Sequence, residues 1–115
     1  MAITLGSVLR DDMYNAIADF GASLNLRFTG TALEVSKAIT SADWSISNNK
    51  LVLDEPVVFD ITQEDLNAEG GSVTVTEVAI RGAGQAVGLV ANLTDVTFNN
   101  PGQYTLNSFE ITLSV

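Results

Sequence analysis

Short alternating apolar segments, separated by turn signals about every eight to twelve residues, fill the chain from Trp44 onward. The clearest is the closing run Thr105-Leu106-Asn107-Ser108-Phe109-Glu110-Ile111-Thr112-Leu113-Ser114-Val115, which follows the turn Asn99-Asn100-Pro101-Gly102. Alternation of period two gives each segment one buried face and one wet face, the pattern of a half-buried strand. Regularly spaced strands of this kind build a sandwich or a barrel. The chain also contains no His and no Cys, so the commonest catalytic bases, thiol nucleophiles and transition-metal ligands are missing.

At 115 residues the chain has the length of one domain, large enough to bury a core without a disulfide or metal staple. Fourteen acidic residues against five basic ones give a formal charge of −9. Such a body repels phosphate backbones and anionic membranes, which argues against nucleic acid or a membrane surface as partner. The cations Arg10, Arg27, Lys37, Lys50 and Arg81 are scattered and form no patch. Excess negative charge serves solubility, docking onto a basic partner, or separation of free copies in a crowded assembly. The hydrophobic content, 46%, is high for so charged a chain and favours oligomerisation or docking. The uncharged stretch 82–94 carries Gly, Gln and Asn and is too short to span a bilayer. Met1-Ala2-Ile3-Thr4-Leu5-Gly6 has neither the positive start nor the long apolar run of a signal peptide.

One segment breaks the period of two. Leu9, Met13, Ala16, Ile17 and Phe20 recur at helical spacing, with Arg10, Asp11, Asn15 and Asp19 on the other face, predicting an amphipathic helix over about 7–20. Ser7 is the expected N-cap, Asp11 and Asp12 suit the positive end of the dipole, and Gly21 suits the C-cap. The apolar stripe is expected to cover a sheet.

Strands are expected from about 24 to 115. Leu24, Leu26 and Phe28 alternate; Leu33, Val35 and Ile39 form a weaker candidate. Ser47-Asn48-Asn49-Lys50 reads as a two-residue hairpin between Trp44-Ser45-Ile46 and Leu51-Val52-Leu53, because Asn tolerates positive φ. Val57 to Ile61 follows, then an acidic segment with Thr62 and Asp65 spaced as a capping box. Val73-Thr74-Val75-Thr76-Glu77-Val78-Ala79-Ile80 has the strongest strand character. Pro101 and Gly102 occupy the central positions of an expected type II turn. The fold predicted is mainly β, an antiparallel, jelly-roll-like β-sandwich of seven or eight strands in one domain with an N-terminal amphipathic helix.

No candidate site outweighs its structural alternative. Asp60, Glu64, Asp65, Asn67 and Glu69 offer oxygen ligands but lack the order and the tight-turn Gly of a calcium loop, so a solvated acidic loop is the better reading. The pairs Asp11/Asp12 and Asp54/Glu55 point apart, and no Ser or Thr has a His to activate it. The glycines of Gly82-Ala83-Gly84-Gln85-Ala86-Val87-Gly88 open no helix and are read as turn and bulge glycines rather than a phosphate loop. Asn92-Leu93-Thr94 matches a glycosylation sequon, a triplet common by chance. Phe20, Phe28, Phe59, Phe98 and Phe109 fall in the apolar phase and are expected in the core, leaving Trp44 and Tyr104 for a surface or subunit contact. No catalytic, metal or cofactor residue is assigned, and no enzyme activity is expected.

The order of parts is similar to that of small virion structural proteins of tailed bacteriophages. The similarity lies in the helix around Val8-Leu9-Arg10-Asp11-Asp12-Met13-Tyr14-Asn15-Ala16-Ile17, in Phe28-Thr29-Gly30, and in Asp54-Glu55-Pro56-Val57-Val58-Phe59-Asp60. It continues through the Val73 to Ile80 strand and Leu93-Thr94-Asp95-Val96-Thr97-Phe98-Asn99-Asn100-Pro101-Gly102. These are short, degenerate pieces spread over nearly the whole chain. The resemblance implies a non-enzymatic virion component assembled in the host bacterial cytoplasm. It would be a capsid decoration or cement protein bridging neighbouring subunits, with the major capsid protein or other virion proteins as partners and a homo-oligomer as its state. A neck, tail or fibre accessory is the alternative, and a carbohydrate-binding β-sandwich module is the rival from another class. Under the virion reading the extended ends add strands to a neighbour. Ile3, Leu5, Phe109, Ile111 and Leu113 then join Trp44 and Tyr104 as interaction candidates.

Overall fold

A computed structural model describes residues 5–113. Helix α1 spans Ser7–Phe20 and runs directly into strand β1 (Gly21–Phe28). Strands β2 (Glu34–Ala38), β3 (Trp44–Ser47), β4 (Lys50–Leu53) and β5 (Val57–Ile61) follow. A short helix α2 (Gln63–Ala68) precedes the long strands β6 (Val73–Gly82) and β7 (Val87–Phe98), and β8 (Gly102–Leu106) and β9 (Glu110–Ile111) close the chain. The fold is mainly β with antiparallel sheets, sandwich-like in arrangement: a four-stranded sheet β2-β1-β6-β7, a three-stranded sheet β3-β4-β9 and a β5-β8 pair.

Local chemistry explains the turns. Asn48 and Asn49 both take positive φ, 52° and 64°, the geometry that a two-residue hairpin needs to match strand twist. Thr62 and Asp65 cap α2 reciprocally: Thr62 Oγ1 accepts from the Asp65 amide and Asp65 Oδ2 from the Thr62 amide. The turn before β8 departs from expectation. Gly102 is not among the residues of positive φ, so the turn is not type II; Gly102 is already paired with Ile61 in the β5-β8 ladder.

The core gathers the inward residues of every layer: Leu24, Leu26 and Phe28 of β1, Val75, Val78 and Ile80 of β6, Leu51 and Leu53 of β4, and Phe59 and Ile61 of β5. Burying side chains of this size stabilises by about 1.5–3 kcal/mol each before the entropy of ordering is counted. Leu24 opposes Ile80 and Leu26 opposes Val78 across the β1-β6 ladder, so one face of the sheet is continuous oil.

The other face of that sheet is polar and satisfied. Asn25, only 3% exposed, donates from Nδ2 to Glu34 Oε1 at 2.8 Å and to Ser36 Oγ at 2.9 Å, and accepts from Ser23 Oγ. Arg81 donates to both carboxylate oxygens of Glu34, its Nε at 2.9 Å. The fork-to-fork geometry, with Arg27 nearby, holds β2, β1 and β6 in register.

Helix α1 has the expected extent but the opposite orientation. Tyr14 and Ala18 are its buried residues, with Arg10, Asp11 and Ile17 half-buried beside them, whereas Leu9, Met13 and Phe20 are exposed. Its N-cap is Gly6, without a side-chain bond, rather than Ser7, and Asp11 and Asp12 lie beyond the first turn; Gly21 is the C-cap as expected, its amide donating to the Ile17 carbonyl, with extended backbone that starts β1. Tyr14 is the anchor. Its hydroxyl donates to the Asn49 carbonyl at 2.7 Å and accepts from the Leu113 amide at 2.9 Å, tying helix, hairpin and C-terminal segment at one point.

Candidate docking surface

A cleft of about 480 Å³ lies between Lys37–Ile39 and Leu53–Val58, and two of its three acidic side chains, Asp43 and Asp54, make structural hydrogen bonds. Asp43 Oδ2 accepts from the Thr40 amide, and Asp54 Oδ1 accepts from Ser45 Oγ. The acidic 60–69 segment is likewise engaged: Asp60 accepts from Gln103, Asp65 caps α2, and Glu69 accepts from Thr31. No group of three or more carboxylates able to hold a metal occurs among the described residues. Glu34 is held below its ordinary value by the Arg81 hydrogen bonds, and the same bonds raise Arg81 above its own.

The expected contact residues are largely internal. Trp44, 7% exposed, packs edge-on against Phe109 with ring centroids 5.8 Å apart, so neither ring is a surface anchor. Tyr104 is half-buried against the core. Ile111 pairs with Leu51 in the β4-β9 ladder, the Phe109 carbonyl accepts from the Leu53 amide, and the Leu113 amide donates to Tyr14. The C-terminal segment through Leu113 is thus tied into its own sheet and is not a free donor strand. Leu5 is half-buried ahead of α1, and Ile3 lies outside the described residues.

Sequence reasoning missed the surface that is open. Among the described residues, the exposed large hydrophobics are Val8, Leu9, Met13 and Phe20 of α1, Val87, Leu89, Val90 and Val96 of β7, and, apart from these, Ile46. The two groups join. Ala16, Ile17 and Phe20 line a shallow cleft with Ile80, Gly88 and Leu89, almost entirely apolar. Glycine makes this junction possible: a Cβ on Gly82 or Gly88 would collide with the Phe20 ring, so these two positions seat the ring instead of merely turning the chain. The signal in the sequence was the helical stripe itself, read as core because periodicity alone does not distinguish a face buried within the chain from one left for another surface.

Strand β7 is the last strand of its sheet, so alternate residues present unpaired N–H and C=O groups. Its register with β6 breaks twice: Ile80 pairs with Leu89 and Arg81 with Val87, leaving Gly88 bulged, and a wider break lies further along. Val75 pairs with Val96 and Glu77 with Asn92, leaving Leu93, Thr94 and Asp95 opposite Thr76. That wider bulge separates an uncharged half, residues 87–92, regular from Leu89 to Asn92, from the segment carrying Asp95, the strand's single charge. A second groove, about 420 Å³, separates residues 89–93 from Leu106 and residues 108–112. No helix among the described residues is long and apolar enough to cross a membrane. Compared with known proteins, the chain matches no family, no curated protein and no solved structure.

Proposed function

We propose that this chain is a non-enzymatic structural subunit of a tailed-bacteriophage virion, a capsid decoration protein that docks on the shell and bridges neighbouring capsid subunits. The observation that carries a docking role is the concentration of exposed large hydrophobics on one helix face and one sheet edge, joined through the Phe20 cleft. A monomer rarely leaves so much contiguous oil in water, and such patches mark protein–protein contacts. The virion assignment comes from the resemblance of the ordered sequence pieces, and an antiparallel body whose C-terminal segment is tied down through Leu113 suits a part that is bound rather than one that turns over substrate. The N-terminal half of α1 supplies the shell-facing contact, with Leu9 and Met13 exposed one turn apart on one face and Val8 exposed beside Leu9. A carbohydrate-binding role draws no support from the aromatics, since Trp44 and Phe109 are buried against each other.

The test is co-sedimentation of the purified chain with empty heads of the phage particle that encodes it. Saturable binding is expected, and L9D should abolish it while leaving the fold intact, because Leu9 is 55% exposed. Absence of binding to heads overturns the decoration role; binding to tails or to a glycan array instead selects one of the alternatives.

A further inference from the structure

We infer that β7 is a homotypic interface: two copies pair their β7 strands antiparallel about a two-fold axis at Val90, joining two four-stranded sheets into one of eight. This inference rests on the chain being an assembly subunit, but it concerns a surface separate from the shell-facing half of α1.

The two edges of the sheet differ. Strand β2, at one edge, is five residues long and carries Glu34 and Lys37, with Lys37 exposed. Short length and charge are the usual means of blocking edge-to-edge pairing. Strand β7, at the other edge, is twelve residues long, contains no Lys, Arg or Pro, and exposes Val87, Leu89 and Val90. The sheet is guarded on one side and open on the other.

The chemistry of the open edge selects its occupant. Residues 87–94 carry no charge in a chain of net −9, so a partner strand there must itself be neutral and apolar. A basic partner would bury unpaired cations against valine and leucine. The segment 87–93 of a second copy meets the requirement. Antiparallel pairing about Val90 sets Val90 against Val90, Leu89 against Ala91, Gly88 against Asn92 and Val87 against Leu93. This register centres on the regular stretch 89–92 and places the two bulges, at Gly88 and at residues 93–95, together with Asp95, toward or beyond the ends of the ladder.

Symmetry then supplies the area that one strand pair lacks. A stable interface buries roughly 800 Å² on each partner, more than a seven-residue strand pairing provides. A two-fold normal to the sheet keeps the faces of both copies aligned. Leu89 and Ala91 lie on the face of their partners Ile80 and Val78, the side on which Phe20 sits. Gly88 and Leu89 therefore bring both Phe20 clefts beside the axis, within about 7 Å along the strand at 3.3 Å per residue. Both clefts are covered together. Because β2 is guarded, assembly stops at two instead of extending into a fibre.

Sedimentation equilibrium and light scattering on the purified chain are expected to give a dimer, twice the 12.2 kDa chain mass. V90K places two ammonium groups together at the axis and should yield a monomer with unchanged circular dichroism, and V90E likewise. Mixing V90K with V90E should restore a dimer, which mere loss of stability would not do. I46K, a charge on another exposed apolar residue, should leave the dimer intact. A monomeric wild type, a V90K variant that remains dimeric, or V90K and V90E copies that stay monomeric when mixed would each overturn the inference. Head binding reads the other proposal separately: L9D should fail to bind heads yet dimerise, whereas V90K keeps Leu9 and the shell-facing contact.

Discussion

Glu34 shows how much of this fold depends on single polar groups. It sits on the non-core face of the four-stranded sheet, 17% exposed, and accepts from Arg81 and from Asn25 while Arg27 lies 3.8 Å away. The Arg81 hydrogen bonds hold its carboxyl below the ordinary value of 4.5, against the opposing effect of burial. A lowered folded-state pKa means that the folded chain favours the carboxylate. The contribution to stability is therefore complete above pH 4.5 and is lost as the pH falls from there through the folded value. E34Q should lower stability at neutral pH by about 1–3 kcal/mol, since it leaves Arg81 without a charged acceptor. The gap between wild type and variant, read from urea midpoints, should narrow on acidification below pH 4.5. A gap that widens in acid would contradict the sign. None of this was legible in the sequence, because Glu34 and Arg81 are 47 positions apart and meet only after β2, β1 and β6 have paired.

At the scale of elements, local signals read well and orientation did not. The Asn48-Asn49 hairpin, the Thr62/Asp65 capping box and the limits of α1 depend on residues a few positions apart, so the chemistry that sets them is contained in the local sequence. Which side of α1 is buried depends on what it packs against. Two stripes compete on this helix, the apolar Leu9-Met13-Phe20 and the mixed Arg10-Tyr14-Ala18, and the second lies inward because Tyr14 finds partners there for its hydroxyl. The same gap hid the candidate site: an apolar stripe that periodicity assigns to the core is the surface left open. Y14F tests the account. It removes one donor and one acceptor at a position with no exposed surface, leaving the Asn49 carbonyl and the Leu113 amide unpaired. The cost should be about 1–3 kcal/mol. Amide exchange at Leu113 should quicken more than at Val78 in the middle of the four-stranded sheet, because the lost bond is the one that anchors the C-terminal segment. Equal acceleration at both amides would mean that Tyr14 supports the fold globally rather than pinning that segment.

For the whole molecule, the decisive quantity is charge. Each copy carries −9, so bringing two together opposes like with like everywhere except at the contact, which is uncharged from residue 82 to residue 94. Long-range repulsion should therefore weaken the dimer at low salt, when the Debye length is about 30 Å at 0.01 M, and be largely screened near 0.15 M, when the length is about 8 Å. The apolar contact is itself little affected over this range, because burial of oil does not depend on screening. Self-association through β7 should consequently tighten several-fold as salt is raised, as measured by the concentration dependence of sedimentation. Attachment to a basic shell surface, if charge drives it, has the opposite sign, since screening removes attraction. Running both titrations on the same preparation separates the two contacts: dimerisation that weakens with salt would place charge, not the neutral β7 edge, at the interface between copies.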